Sequence, residues 1–172
     1  LVEFLFIICK AVGYKSASNL GFFIGKNFGN FFRKKKSIIE NLHKSKIEVN
    51  ISDNQFVNNI LGNYGRILAE YPFLKDFRKN KLEQFIRIEG IENLDRIKNN
   101  KKPVVFISGH FNNFELMAMQ IEKYGINLAA IYRPLNNVFL NKTMERIRTK
   151  YICRNQIRKG KSGTRQILEN LK

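Results

Sequence analysis

Cysteine and histidine are scarce in this chain, with two of each in 172 residues. Cys9 and Cys153 lie far apart and form no disulfide framework of the kind that staples small secreted domains. With His43 and His110 they make no ligand set at zinc spacing. The expectation is a reduced, cytoplasm-facing protein with no metal and no cofactor. Long hydrophobic runs are missing as well. The apolar segments 1–14 and 20–32 are broken by Glu3, Lys10 and Lys26, and neither reaches the ~20 uninterrupted apolar residues of a spanning helix. No small-residue cleavage site follows them, which argues against a signal peptide. Internal repeats and low-complexity linkers are absent. So is a Gly-x-Ser-x-Gly elbow, which argues against an α/β-hydrolase. Gly160-Lys161-Ser162-Gly163-Thr164 has the tail of a phosphate loop, but Asn155 stands where that motif needs its first glycine. The stretch reads instead as the start of the last helix, capped by Ser162 or Thr164.

Acidic residues are few. Fourteen Asp and Glu against 31 Lys and Arg give a formal charge of +17. Lys, Asn, Ile and Phe are all abundant, as expected of an A- and T-rich coding sequence, so part of the basicity reflects codon composition. The remainder favours anionic partners: phospholipid headgroups, a phosphorylated substrate, an acidic carrier protein or nucleic acid. The densest run, Arg33-Lys34-Lys35-Lys36, is either a solvated helix end or a basic cluster on anionic lipid. In the second case it follows two amphipathic helices lying in the headgroup region. The phenylalanines of that region, Phe22, Phe23, Phe28, Phe31 and Phe32, then face lipid; otherwise they line a core.

A hydrophobic content of 44% suffices for one core. Phe56, Ile60, Tyr64, Ile67 and Leu68 recur at helical spacing and predict a helix over 53–71, in which Gly62 and Gly65 weaken the pattern or mark close packing. Strands are expected over 85–88, 104–108 and 128–132, with a helix over 91–99. Another helix follows 104–108, capped by Asn112 or Asn113 and stopped by Gly125. Alternating strands and helices predict an α/β domain, a parallel or mixed sheet flanked by helices, over 37–172. Amphipathic membrane-associated helices precede it over 1–36.

Gly109-His110-Phe111-Asn112-Asn113-Phe114-Glu115 is where chemistry outweighs packing. On one continuous helix, five positions of separation would splay His110 and Glu115 by roughly 140°. They meet only if His110 lies on the turn leaving the strand and Glu115 in the first helical turn. Glu115 then fixes the imidazole tautomer and His110 serves as general base. In the competing reading Asn112-x-x-Glu115 is a capping box and His110 a structural histidine. Arg133, between a strand and Pro134, suits a phosphate on a substrate, or forms a surface salt bridge. Asn113 and Arg165 complete the candidate substrate-binding residues; Arg165 alternatively faces solvent. His43, in a basic polar stretch, reads as exposed and idle.

The 109–115 block resembles the His-x-x-x-x-Glu block of the bacterial lipid A biosynthesis lauroyl/myristoyl acyltransferases, whose usual form is Gly-His-Phe-Gly-Asn-Trp-Glu. Gly109, His110, Phe111, Asn113 and Glu115 match, while Asn112 and Phe114 replace Gly and Trp. Ile131-Tyr132-Arg133-Pro134-Leu135-Asn136-Asn137 is similar to the family's Tyr-Arg-Pro segment. Asn63-Tyr64-Gly65-Arg66 to Glu70, and Ile88 to Leu94, fit its lead-in. The resemblance implies acyl transfer from an acyl carrier protein thioester to a hydroxyl of a phosphorylated glycolipid, a lipid A precursor. It also implies an N-terminal membrane anchor at the cytoplasmic face of the inner membrane. Family members are longer, with an Asp-Gln segment expected soon after Lys172, so the chain reads as a fragment. The alternatives are an inactive piece of the transferase, or a basic nucleic-acid-binding module, which leaves His110 and Glu115 without a role.

Overall fold

The structure is a computed structural model that describes residues 2–32 and 35–171. It divides into two compact units, Leu1–Phe73 and Leu74–Lys172.

The first unit is helical. Helix α1 (Val2–Val12) and helix α2 (Tyr14–Phe28) are separated by Gly13, whose φ of +81° suits glycine. Helix α3 (Lys36–Ser45) leads to α4 (Asp53–Glu70). Ser52 caps α4 by accepting from the Gln55 N–H at 3.3 Å. The helix expected from the Phe56–Leu68 periodicity is therefore present. Its two glycines mark close packing, because α2 and α4 cross with their backbones in contact. A Cβ on Gly65 would collide with the Gly21 carbonyl, and one on Gly25 with the Leu61 carbonyl. Glu70 is buried at the end of α4 and accepts from Ser18 Oγ at 2.7 Å and the Tyr14 hydroxyl at 3.4 Å. Burial first, then the Glu70 charge, push the Tyr14 hydroxyl up to about 12. No described helix is long and apolar enough to cross a membrane. Of the basic run 33–36, Arg33 and Lys34 lie outside the described residues.

The second unit holds the sheet. After α5 (Leu74–Arg78) and α6 (Ile91–Asn100) come α7 (Glu115–Lys123) and strand β1 (Ala129–Tyr132). Helix α8 (Val138–Ile147) and a π turn over Arg148–Ile152 cross to strand β2 (Asn155–Arg158), and α9 (Lys161–Asn170) follows. The strands pair in parallel, Ala129 opposite Asn155 and Tyr132 opposite Arg158. Leu74, Phe77, Met119, Ile152, Cys153 and Ile157 form the buried core beneath them. Gly125 ends α7 at φ +90°, as expected from its position. The last helix starts at Gly160, with no side-chain cap from Ser162 or Thr164.

The α/β expectation thus survives in reduced form, as a mostly helical chain with a small parallel sheet flanked by helices. Two expected strands do not form. Residues 85–88 leave a 3₁₀ turn (Glu83–Phe85) into extended backbone without a ladder. Segment 104–108 is irregular, and among the described residues no backbone hydrogen bond joins 103–111 to a neighbour. Its side chains gain little cover: Phe106 is half-buried, but Ile107 is 94% exposed. β-Branched residues favour extended backbone, but a strand exists only with a partner at its edge.

Candidate functional site

Helix α7 opens the site. Phe114 occupies its cap position and no side chain caps it there, which corrects the expected Asn112 or Asn113 cap. The two asparagines act through their backbones instead. The Asn112 carbonyl accepts from Phe114 N at 3.0 Å and the Asn113 carbonyl from Leu116 N at 3.1 Å, with Asn112 in the left-handed region at φ +43°. Asn113 is half-buried beside Glu115.

Glu115 itself is 5% exposed. Its partner is Arg148, at the start of the π turn, whose Nε and Nη2 approach Glu115 Oε1 at 2.7 and 2.6 Å. A carboxylate this buried needs such a counter-charge. His110 stands elsewhere. It is exposed, and its ring packs on Phe114 with centroids 4.2 Å apart and planes at 59°. The expected imidazole–carboxylate bond is not formed. The guanidinium supplies the charge complement Glu115 requires, while His110 sits on a segment without a ladder and covers the nearest aromatic face.

The Tyr-Arg-Pro loop leaves β1 beside a polar network. Arg158 Nε donates to the Tyr132 hydroxyl at 3.0 Å, and Arg158 Nη2 donates to both Glu145 oxygens at 2.9 and 3.2 Å. The Tyr132 hydroxyl and Asn141 Nδ2 also donate to Glu145 Oε1, the latter at 2.9 Å. The bond from Tyr132, then those from Asn141 and Arg158, hold the Glu145 carboxyl below its ordinary range, whereas burial and then Glu145 raise the Tyr132 hydroxyl. Arg133 is exposed, and among the described residues its guanidinium has no polar partner.

Arg165 lies on α9, where its guanidinium is engaged in an exposed i,i+4 pair with Glu169 at 3.2 Å. His43 is exposed as expected but not idle, since its Nε2 lies 2.9 Å from Asp53 Oδ2. Both cysteines are free. Among the described residues no cluster of His, Cys, Asp and Glu could hold a metal ion.

Sequence reasoning missed Arg148, Asn141, Glu145 and Arg158. The i,i+4 spacing of Asn141 and Glu145 was the one local signal of a shared helix face; Arg148 and Arg158 reach their partners only through the crossover. A groove of about 440 Å³ runs along the other face of α7, lined by Ile86, Ile88, Leu94, Leu116, Met117 and Gln120 among others.

The family model described as bacterial lipid A biosynthesis acyltransferase matches residues 1–172. No curated protein and no solved structure matches the chain.

Proposed function

The chain belongs to the bacterial lipid A biosynthesis acyltransferase family, and on that premise we propose that it moves an acyl group from an acyl carrier protein thioester to a hydroxyl of a phosphorylated glycolipid precursor of lipid A. The observation that carries this reading is the family match along 1–172. Segment 109–115 holds the general base, His110. Because 103–111 has no backbone hydrogen bonds to a neighbour among the described residues, the segment can turn the imidazole off Phe114 towards Glu115. Arg148 already fixes that carboxylate through Oε1, and a carboxylate oxygen can accept from more than one donor.

His110 takes the proton of the acceptor hydroxyl, and the oxygen attacks the thioester carbonyl carbon. The cap residue of α7 supplies no side-chain acceptor to the first turn, and the backbone N–H groups there other than that of Leu116, which the Asn113 carbonyl takes, face the developing oxyanion. Collapse expels the carrier thiolate, and the His110 proton neutralises it. Arg133 takes the acceptor phosphate, and the α7 groove takes the acyl chain. Exposed Phe4, Ile7, Phe23, Phe28, Phe31 and Phe32 in the first unit suit the headgroup region of the cytoplasmic leaflet of the inner membrane, with the chain's positive charge on anionic lipid.

The test is His110→Ala, assayed with acyl carrier protein thioester and glycolipid acceptor. Loss of a general base lowers the rate by roughly 10²–10⁴-fold. Sedimentation with anionic vesicles and the melting temperature stay as in the parent, since His110 is exposed. Undiminished transfer in the variant would overturn the mechanism.

A further inference from the structure

Residues 132–135 are tied on both sides of one untied side chain. Tyr132 is anchored through its carbonyl, which accepts from Lys159 N at 2.9 Å, and through its hydroxyl on Arg158 and Glu145. Leu135 is anchored through its N–H, which donates to Asn141 Oδ1 at 2.8 Å. Asn141 is 9% exposed, and its other end donates to Glu145, so its amide orientation is set by both bonds together. Between these anchors Pro134 fixes its own φ. Arg133 sits inside this bracket with its own guanidinium unpartnered among the described residues.

A buried amide spent on a loop N–H, backed by a carboxylate that grips the strand before the loop, holds a backbone segment in place for the cation it carries. We propose that Asn141, set by Glu145, is a positioning residue: it fixes the Arg133 loop at the carboxyl end of β1 so that this guanidinium meets a phosphate monoester already oriented. The inference rests on the assignment of Arg133 to the acceptor phosphate. It adds the residues that confer affinity there without touching the ligand. The chemistry follows from preorganisation, since a guanidinium held at its root loses less freedom on binding.

The experiment uses the full chain and glucose 1-phosphate as probe, with glucose as the uncharged control. Titration calorimetry reports binding in every variant, and the side-chain ¹⁵N–¹H resonances of Arg133 locate it wherever that arginine is present. Asn141→Leu removes both bonds and keeps the branched shape; it should weaken glucose 1-phosphate binding roughly tenfold, the scale of coupling between neighbouring groups. Asn141→Asp combined with Glu145→Gln exchanges donor and acceptor between the two side chains, keeps an acceptor for the Leu135 N–H, and should bind within about twofold of the parent, a margin inside the usual error of additivity. In an Arg133→Gln background, Asn141→Leu should cost nothing further. Equal binding by the parent and Asn141→Leu overturns the proposal, as does equal weakening with Arg133 present or absent. If Asn141→Leu fails to fold, Glu145→Gln, which loosens the amide from the other side, replaces it with the same expected coupling to Arg133. If Asn141→Leu weakens the probe only where Arg133 is present while the parent transfers no acyl group, the positioning role stands and the transferase reading falls.

Discussion

Arg148 grips Glu115 by two nitrogens on a single oxygen, Nε at 2.7 Å and Nη2 at 2.6 Å from Oε1. The pair joins the first turn of α7 to the π turn that ends the crossover from β1 to β2. It therefore couples the segment bearing His110 to the sheet.

Arg148→Met should destabilise the chain by about 3–5 kcal/mol, because it leaves the buried carboxylate without its guanidinium. Urea denaturation measures this. The double variant Glu115→Gln with Arg148→Met should recover much of the loss, since no charge is then stranded. A single variant as stable as the parent would show that other groups carry Glu115.

The α2–α4 crossing gives a contrast within one helix. Gly65→Ala drives a methyl into the Gly21 carbonyl, a backbone group that cannot turn aside. Overpacking of that kind costs about 1–3 kcal/mol, more than the ~1 kcal/mol that alanine gains in helix propensity. Gly62→Ala meets the Phe22 ring at 2.7 Å instead, and a side chain can rotate away. Thermal melting should rank Gly65→Ala well below Gly62→Ala; the reverse order would contradict the crossing.

Tyr14 predicts an alkaline limb. Its hydroxyl is pushed up to about 12 by burial and by Glu70, against ~10 in an unfolded chain. The folded state holds this proton more tightly, so the associated stability is whole below about pH 10 and is lost as pH rises towards 12. Tyr14→Phe lacks this titration. The difference in melting temperature between parent and variant should shrink over pH 10–12, and parallel curves would refute the assignment.

Local pattern made α4, the Gly125 stop and β1 legible, because each depends on neighbours within a few positions: periodic apolar residues, a left-handed φ, a short apolar run. The failures are all questions of partnership. Val104 to Ser108 has strand composition, yet only a paired edge would make it one. Asn155-Gln156-Ile157-Arg158 has little strand composition and becomes β2 because β1 lies alongside. At the candidate site the sequence singled out His110 and Glu115 and assigned each to the other. It contained nothing to say that Arg148, 33 positions beyond Glu115, would claim the carboxylate, since that meeting is made by the crossover.

The groove along α7 ties stability to specificity. Gln120 Nε2 is buried there with no hydrogen-bond partner among the described residues, and an unsatisfied buried donor costs ~1–3 kcal/mol. Gln120→Met removes the donor at similar volume and should raise stability by about 1 kcal/mol. With an acyl chain in the groove, the same change should also favour apolar occupancy and strengthen binding of long-chain acyl donors. Met117→Trp acts in the opposite sense. Met117 is half-exposed on the groove wall, and an indole there shortens the space left for a chain. Competition between long and short acyl thioesters then decides the matter. Met117→Trp should shift transfer towards the shorter donor and Gln120→Met towards the longer, and a ratio indifferent to both would place the acyl chain somewhere other than against α7.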